Sequence, residues 1–397
     1  MSEISDMIQR LCPDGVEYRK LGDVGNINRG VRVVKNDLQI SGLYPVFQNS
    51  LTPLGQYNQY NYDANTAFVI SAGAAGDIGF SKTCFWAADD CLVITPFDKI
   101  VSKFIFYYLM SQQPYIKSRV RKASIPRLSK DVIYNLEIPV PPLEVQRKIV
   151  EVLDNFSELT AELTAELTAR QKQYEYYRDN LLNFNRGGQV ASDVKWYKMI
   201  DLGKFYGGLS GKSKSDFEDG NANFITYMNV YSNPSLNLQI KEKVKILPGE
   251  KQNKVIQGDI LFTGSSETPD ECGMSSIVIE NVSEDYYLNS FSFGFRLNEK
   301  CLFNLRYLKH LFRCSFMRKQ IGKTASGVTR FNVSKQRFGQ ISVPVPPISM
   351  QSSIADVLDK FESLTYDLTS GLPAEIKARQ QQYEYYRDQL LTFKRAN

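Results

Sequence analysis

The segment Arg170–Leu182 (RQKQYEYYRDNLL) returns near the C-terminus as Arg379–Leu391 (RQQQYEYYRDQLL), differing only at Lys172/Gln381 and Asn180/Gln389. Two further landmarks precede each copy in the same order. Val16–Gly30 (VEYRKLGDVGNINRG) aligns with Val194–Gly208 (VKWYKMIDLGKFYGG), and Leu128–Gln146 (LSKDVIYNLEIPVPPLEVQ) with Val333–Gln351 (VSKQRFGQISVPVPPISMQ). VLDNF at 152–156 and VLDKF at 357–361 then lead into the long repeat. Ordered self-similarity of this kind means that one unit folds twice, so the chain is a duplication before it is anything else.

Each unit reads as a variable, strand-rich globular part followed by a helix. Short apolar runs punctuated by Gly and Asp predict strands at Ala67–Gly73, Asp89–Phe97, Gly258–Ser266 and Ser275–Asn281. Helical pieces are expected near Lys103–Val120 and Asn304–Gly322. The PVPP elements, 139–142 and 344–347, mark rigid exits, because proline lacks the amide donor and fixes φ. Apolar residues then fall at Ile149, Val152, Phe156, Leu159, Leu163, Leu167, Tyr174, Tyr177, Leu181 and Phe184, a heptad seam with a stutter. The second copy follows with Ile354, Val357, Phe361, Leu364, Leu368, Leu372, Ile376, Tyr383, Tyr386, Leu390 and Phe393, but Gly371 and Pro373 predict a kink or restart there. A helix of about 40 residues spans ~60 Å and cannot bury its seam alone, whereas two copies can bury each other's. The repeated segment is therefore scaffold. Glu175, Arg178 and Asp179, with Glu384, Arg387 and Asp388, lie off the seam, and a merely solvated face needs no such identity, so they are expected to form a partner surface.

Chemistry is conspicuous by what the sequence excludes. Gly207–Ser213 (GGLSGKS) is one residue short of a phosphate loop, since Tyr206 stands where the first glycine belongs; it reads as a turn after a strand, with Lys212 and Lys214 still free to meet phosphate. His310 is the only histidine, so a Ser-His-Asp or Cys-His site has little to draw on. The six cysteines are scattered without a C-x-x-C pair, which predicts reduced, buried thiols and no structural zinc. No apolar run approaches the ~20 residues of a membrane span, and a cytoplasmic protein is expected. The net charge of +5 is modest but unevenly placed: Lys99–Lys130 holds eight Lys/Arg and Lys300–Ser353 ten, with no Asp or Glu in either tract. Two basic tracts predict two polyanion contacts.

Taken together, the half-repeat, the PVPP exits before long helices, the QYEYYRDxLLxF signature and the Leu159–Leu167 run (LTAELTAEL) resemble the specificity subunits of type I restriction-modification enzymes, over essentially the whole chain. The resemblance implies an α+β fold: two mixed α/β target-recognition domains separated by two long antiparallel coiled-coil helices with an internal pseudo-twofold repeat. The divisions are 1–141 and 187–346 for the domains, 142–186 and 347–397 for the helices. It further implies a bipartite double-stranded DNA site, one half read by each domain. No cofactor is expected on this chain; S-adenosylmethionine belongs to modification subunits docked on the scaffold, ATP and magnesium to motor-nuclease restriction subunits.

In such a protein affinity comes from cations on phosphates and specificity from side chains at base edges. The expected phosphate contacts are Lys117, Arg119, Arg121, Lys122, Arg127 and Lys130 in the first half, and Arg318, Lys319, Lys323, Arg330, Lys335 and Arg337 in the second. Expected base readers are Gln48, Asn49, Ser71, Ser124 and Arg127, with Asn229, Ser265, Ser266, Thr329 and Arg330 as counterparts. The rival is a coiled-coil adaptor that organises proteins and touches no nucleic acid.

Overall fold

The computed structural model describes residues 2–39, 41–186, 189–190, 193–366 and 371–396. It divides into two compact units, residues 1–165 with 375–397 and residues 166–374. Each unit takes one globular domain, the near part of the helix that follows it, and the far part of the other copy's helix.

In the first unit a four-stranded antiparallel sheet runs in the order Gly25–Arg29, Cys91–Pro96, Thr66–Ile70, Ile78–Ser81. A second sheet places Tyr44–Phe47 between Gly55–Tyr57, antiparallel, and Trp86–Ala87, parallel. A two-stranded ribbon joins Tyr18–Lys20 to Glu137–Pro139. The second unit repeats this plan strand for strand: Gly203–Gly207, Ser292–Leu297, Ile260–Thr263 and Ser275–Ile277 in one sheet; Ala222–Ile225 between Lys243–Val244, antiparallel, and Tyr286–Leu288, parallel, in another; and a ribbon of Lys195–Lys198 with Ser342–Val345. The duplication thus extends through regions whose sequences show no likeness. Buried Leu92 and Ile94 on one face and Phe68 on the other in the first unit, and Phe262 and Phe295 on one face and Leu261 on the other in the second, supply the central strands with their two-sided apolar character. Each expected helical piece is broken in two, Ser102–Ser111 with Gln113–Ser118 and Leu305–Leu311 with Ser315–Gly322. Pro114, which cannot donate to a continuing helix, sits at the first break.

The proline exits are locks rather than plain linkers. Pro139 and Pro344 lie in two-stranded ribbons, where a missing donor is tolerated. Just beyond them, fully buried Gln146 accepts from the Val101 amide (2.8 Å) and donates to the carbonyls of Lys99 (3.0 Å) and Pro141 (2.7 Å). Gln351, equally buried, accepts from the Asn304 amide (2.8 Å) and donates to Leu302 (3.1 Å) and Pro346 (2.8 Å). One side chain per unit thereby satisfies the start of the domain's helix and ties it to the long helix.

The first long helix, Leu143–Leu181, runs unbroken for 39 residues. Its counterpart consists of Ile348–Tyr366 and Leu372–Leu390, with Pro373 in the first turn, where it needs no amide hydrogen. Residues 367–370, including Leu368 of the expected seam, lie outside the described residues. Packing in the second unit is antiparallel: Tyr177 stacks on Phe361 (5.2 Å between centroids) and Tyr174 meets Tyr366 edge-on (5.8 Å). In the first unit Phe156 stacks on Tyr386 (5.5 Å). Phe156 and Phe361 are equivalent, as are Tyr177 and Tyr386, so each copy of the repeated segment supplies the tyrosine that covers the other copy's phenylalanine. That reciprocity explains why one polar, tyrosine-rich segment is kept twice. The seam is looser than its periodicity predicts, with Leu159, Val357 and Leu364 partly exposed.

Candidate nucleic-acid interface

In the first unit the end of the basic tract folds into a short loop closed by main-chain bonds. The Arg121 amide donates to the Arg127 carbonyl (2.9 Å) and the Arg127 amide to Arg121 (3.2 Å). Leu128 N–H to Ser71 O (2.8 Å), Gly73 N–H to Pro126 O (3.2 Å) and Ala74 N–H to Asn49 O (2.9 Å) then bind this loop to segments 71–74 and 48–50. Gly73 has φ +81°, and a Cβ there would strike Asn49, so the close approach of these backbones requires glycine. Arg121, Lys122, Ser124, Arg127 and Lys130 are exposed, and no ion pair holds the four cations among the described residues. Arg119 lies over the Tyr115 ring (4.9 Å) and Lys117 pairs with Asp77 (2.9 Å), a partly exposed contact of little energetic weight. Asn49 is exposed and Gln48 half-buried beside this loop.

The second unit builds the same feature as a hairpin. Ala325–Ser326 pairs with Phe331–Val333, which also pairs with Ser265–Ser266, and the tip is Gly327–Arg330. Behind the tip lies a cleft of about 500 Å³ lined by Tyr227, Met228, Tyr231, Ser265, Ser266, Glu267, Glu271, Phe291, Thr329 and Arg330. Arg330 sits over the exposed Phe291 ring (5.2 Å) and donates to Ser265 Oγ (3.2 Å). Lys319, Lys323, Lys335 and Arg337 are exposed; Lys335 covers the Phe293 ring (5.5 Å) and Arg337 donates to Ser326 Oγ (3.0 Å). Ser266, Thr329 and Arg330, expected as base readers, therefore do share one cleft.

Several expected residues are spent inside the fold. Ser71 is 2% exposed and donates to Asp90 O, Ser265 is buried beneath Arg330, and Asn229 uses its amide on Asn237 and Asn233. None of the three is free to meet a base. Arg318 is no phosphate contact: its guanidinium donates to the carbonyls of Gly273, Asp270 and Cys272, and burial lowers its pKa to about 10. Lys212 is equally committed, to Glu250 and the Lys245 carbonyl, in both cases at 2.6 Å. Cys301 is exposed rather than buried.

The expected partner surface is also redrawn. Arg178 turns inward over Tyr174 (5.5 Å) and pairs with Asp179 (3.2 Å), which accepts from the Ser315 amide (2.9 Å) and hydroxyl. Arg387 likewise covers Tyr383 (5.7 Å) and pairs with Asp388 (2.7 Å), which itself stays exposed. Glu175 and Glu384 do face solvent, and Tyr176 and Tyr385 beside them are 66% and 59% exposed. Falling between seam positions, these tyrosines carry no periodic signal; their identity in both copies is the one mark the sequence gives them. His310 is buried, bonded to Tyr174 Oη through Nδ1 (3.0 Å) and to Asp359 through Nε2 (2.7 Å). His310, Asp359 and Glu362 converge as metal ligands do, but Lys309 already bonds both carboxylates.

Two related α/β units, each offering a cation-rimmed loop and a helical edge, define a duplicated recognition scaffold. The chain belongs to the family described as the type I restriction modification DNA specificity domain, which it matches at residues 13–170 and 191–378. It is 30% identical over 416 residues to a putative type I restriction enzyme specificity subunit of Haemophilus influenzae, covering 95% of this chain and 96% of the other. It is also 30% identical over 423 residues to a type I restriction enzyme specificity subunit of Escherichia coli, covering 99% and 98%. In fold it is similar to the S subunit of a type I restriction-modification system from M. genitalium (TM-score 0.57, 16% identity, 95% of each chain). A chain from a study of complex assembly and conformational transition of the type I system is similar too (TM-score 0.63, 17% identity, 96% and 98% covered). Among the described residues no helix is long and apolar enough to cross a membrane.

Proposed function

We propose that this chain is the DNA-reading specificity subunit of a type I restriction-modification complex, one unit reading each half of a bipartite duplex site. The observation that carries this is the pair of equivalent loops, each on a main-chain frame braced by its own unit: residues 121–127 project Arg121, Lys122 and Arg127, and residues 327–330 carry Arg330 with exposed Lys323, Lys335 and Arg337 flanking them. Cations on phosphates supply affinity and register, and exposed polar side chains at the loop tips reach base edges. The chain itself performs no catalysis. Modification subunits contribute S-adenosylmethionine and methyl transfer, and restriction subunits contribute ATP- and magnesium-dependent translocation and cleavage. The exposed Glu175–Tyr176 and Glu384–Tyr385 faces suit the docking of two copies of one partner, with tyrosine as the anchoring residue. A protein-organising adaptor has no need of two acid-free basic tracts.

The test is methylome sequencing of cells carrying the modification subunit with this chain, and with a chimera in which 194–342 come from a related chain. One half of the methylated sequence is expected to change and the other to persist. Simultaneous change of both halves would refute the one-unit, one-half assignment.

A further inference from the structure

The cleft behind the second unit's hairpin contains two carboxylates, and only one has a structural duty. Glu271 Oε1 accepts from Tyr231 Oη (3.0 Å) and its Oε2 from Ser266 Oγ (3.0 Å), and these bonds hold its pKa below the ordinary carboxylate range. It is a brace. Glu267, on the same wall, is exposed and makes no hydrogen bond or ion pair among the described residues. Opposite in charge and lining the same cleft is Arg330, which commits one terminal nitrogen to Ser265 and one face to Phe291, leaving the rest of its fork of donors free.

The surrounding frame is rigid. Tyr227 and Tyr231 stack (6.0 Å between centroids), Tyr227 Oη donates to Ser265 O (2.8 Å), and Arg313 donates to the carbonyls of Tyr231 (2.9 Å) and Ser275. A free acid in a surface that binds a polyanion repels phosphate. Its placement makes chemical sense only opposite a nucleic-acid group that donates. In the major groove guanine offers O6 and N7 as acceptors, and its partner cytosine offers the N4 amino group as a donor. A fixed guanidinium and a free carboxylate in one cleft match those two edges of a single pair.

We infer that Glu267 and Arg330 together read one G·C pair in the half-site of the second unit, with Arg330 donating to guanine and Glu267 accepting from the cytosine amino group. The inference rests on the DNA-reading role proposed above. It places Arg330 at a base edge rather than on phosphate and assigns a specificity role to Glu267. In the first unit the corresponding segment, residues 71–76, carries no acid, and Asp77 just after it is paired with Lys117, so its half-site lacks this combined readout.

The experiment is methylome sequencing and salt-titrated binding of the reconstituted complex with E267Q and R330K. Both substitutions are expected to relax the same base pair in one half-site, roughly tenfold or more in discrimination, which is what one good base contact supplies. E267Q is expected to gain adenine tolerance at the cytosine position. The salt dependence stays as in wild type, because R330K keeps the charge while losing the bidentate fork. The inference is overturned if R330K retains full discrimination, if the two substitutions relax different positions, or if E267Q tightens binding to all sequences alike. Failure of the wild-type complex to bind any specific duplex would instead overturn the DNA-reading role itself.

Discussion

The two units share a backbone plan yet hold their domains to the long helices with different chemistry. In the first, Asp154 receives Lys103 (2.7 Å) and the hydroxyl of Tyr107 (2.5 Å). In the second, the equivalent Asp359 receives Arg306 (3.0 Å), Lys309 (2.7 Å) and His310 (2.7 Å), so a simple pair becomes a part-buried ionic network. In the second unit the guanidiniums of Arg313 and Arg318 clamp the carbonyls of the loops framing the cleft, whereas in the first unit Lys117 pairs with Asp77. By contrast the glutamine locks and the Phe–Tyr stacks are the same in both. What is common is the lock and the stack; what differs is the ion pairing around them and the clamps that frame the second unit's cleft.

The sharpest challenge to the shared part is to remove a lock. Gln146→Leu and Gln351→Leu each leave one buried carbonyl, one part-buried carbonyl and one part-buried amide without this partner, at ~1–3 kcal/mol per group. Each is expected to destabilise its own unit by about 3–5 kcal/mol in chemical denaturation, equally within error. Destabilisation of one unit only would show that the equivalence is geometric and not energetic.

Next comes the difference between a clamp and a phosphate-binding cation. Arg318→Ala is expected to cost about 2–3 kcal/mol of stability by freeing three carbonyls, and to leave the salt dependence of DNA binding unchanged. Arg119→Ala with Arg121→Ala is expected to do the opposite: unchanged denaturation, and a log–log salt slope shallower by about one for each phosphate that is no longer neutralised. A shallower slope for Arg318→Ala would restore that residue to the interface.

This contrast also marks how far the sequence can be read. Duplication, strands, the helix restart at Pro373 and the family likeness are legible, because they depend on order, period and backbone chemistry. Arg318 is not, because a basic tract records charge and not direction; whether a guanidinium meets phosphate or a carbonyl depends on the turn between Leu305–Leu311 and Ser315–Gly322. Ser71 and Asn229 mislead for the same reason, as polar residues in strand-end and helix positions that the fold closes over. Glu267 carries no signal in the sequence because an acid is not looked for near DNA, and only the fold shows it lining the same cleft as Arg330. The equivalence of Tyr176 and Tyr385 is visible, but its meaning requires knowing that Arg178 and Arg387 turn inward.

The smallest effect separates the two ionic junctions by pH. Burial lowers the pKa of His310 from its ordinary value, Asp359 opposing that fall and Lys309 adding to it, with Tyr174 and Glu362 also close by. Neutral His310 donates from Nε2 to Asp359 and accepts at Nδ1 from Tyr174. Below about pH 6.5 the unfolded chain binds a proton that the folded site resists, so the second unit loses stability as pH falls towards 5. Asp359 adds nothing in that window. Burial raises its pKa, but the bonds from His310 and Lys309 outweigh burial and hold it far below the usual range, so its contribution disappears only below about pH 4. The first unit has Tyr107 in place of His310, a hydroxyl whose pKa is pushed upward by burial and by Asp154 and which does not titrate between pH 7 and 5. Hydrogen exchange resolved by unit is therefore expected to show protection falling from pH 7 to 5, after correction for intrinsic rates, around Leu305–Leu311 and not around Ser102–Ser111. His310→Tyr gives the second unit the first unit's side chain and is expected to abolish the difference; persistence of the pH response in that variant would place its source elsewhere than the histidine.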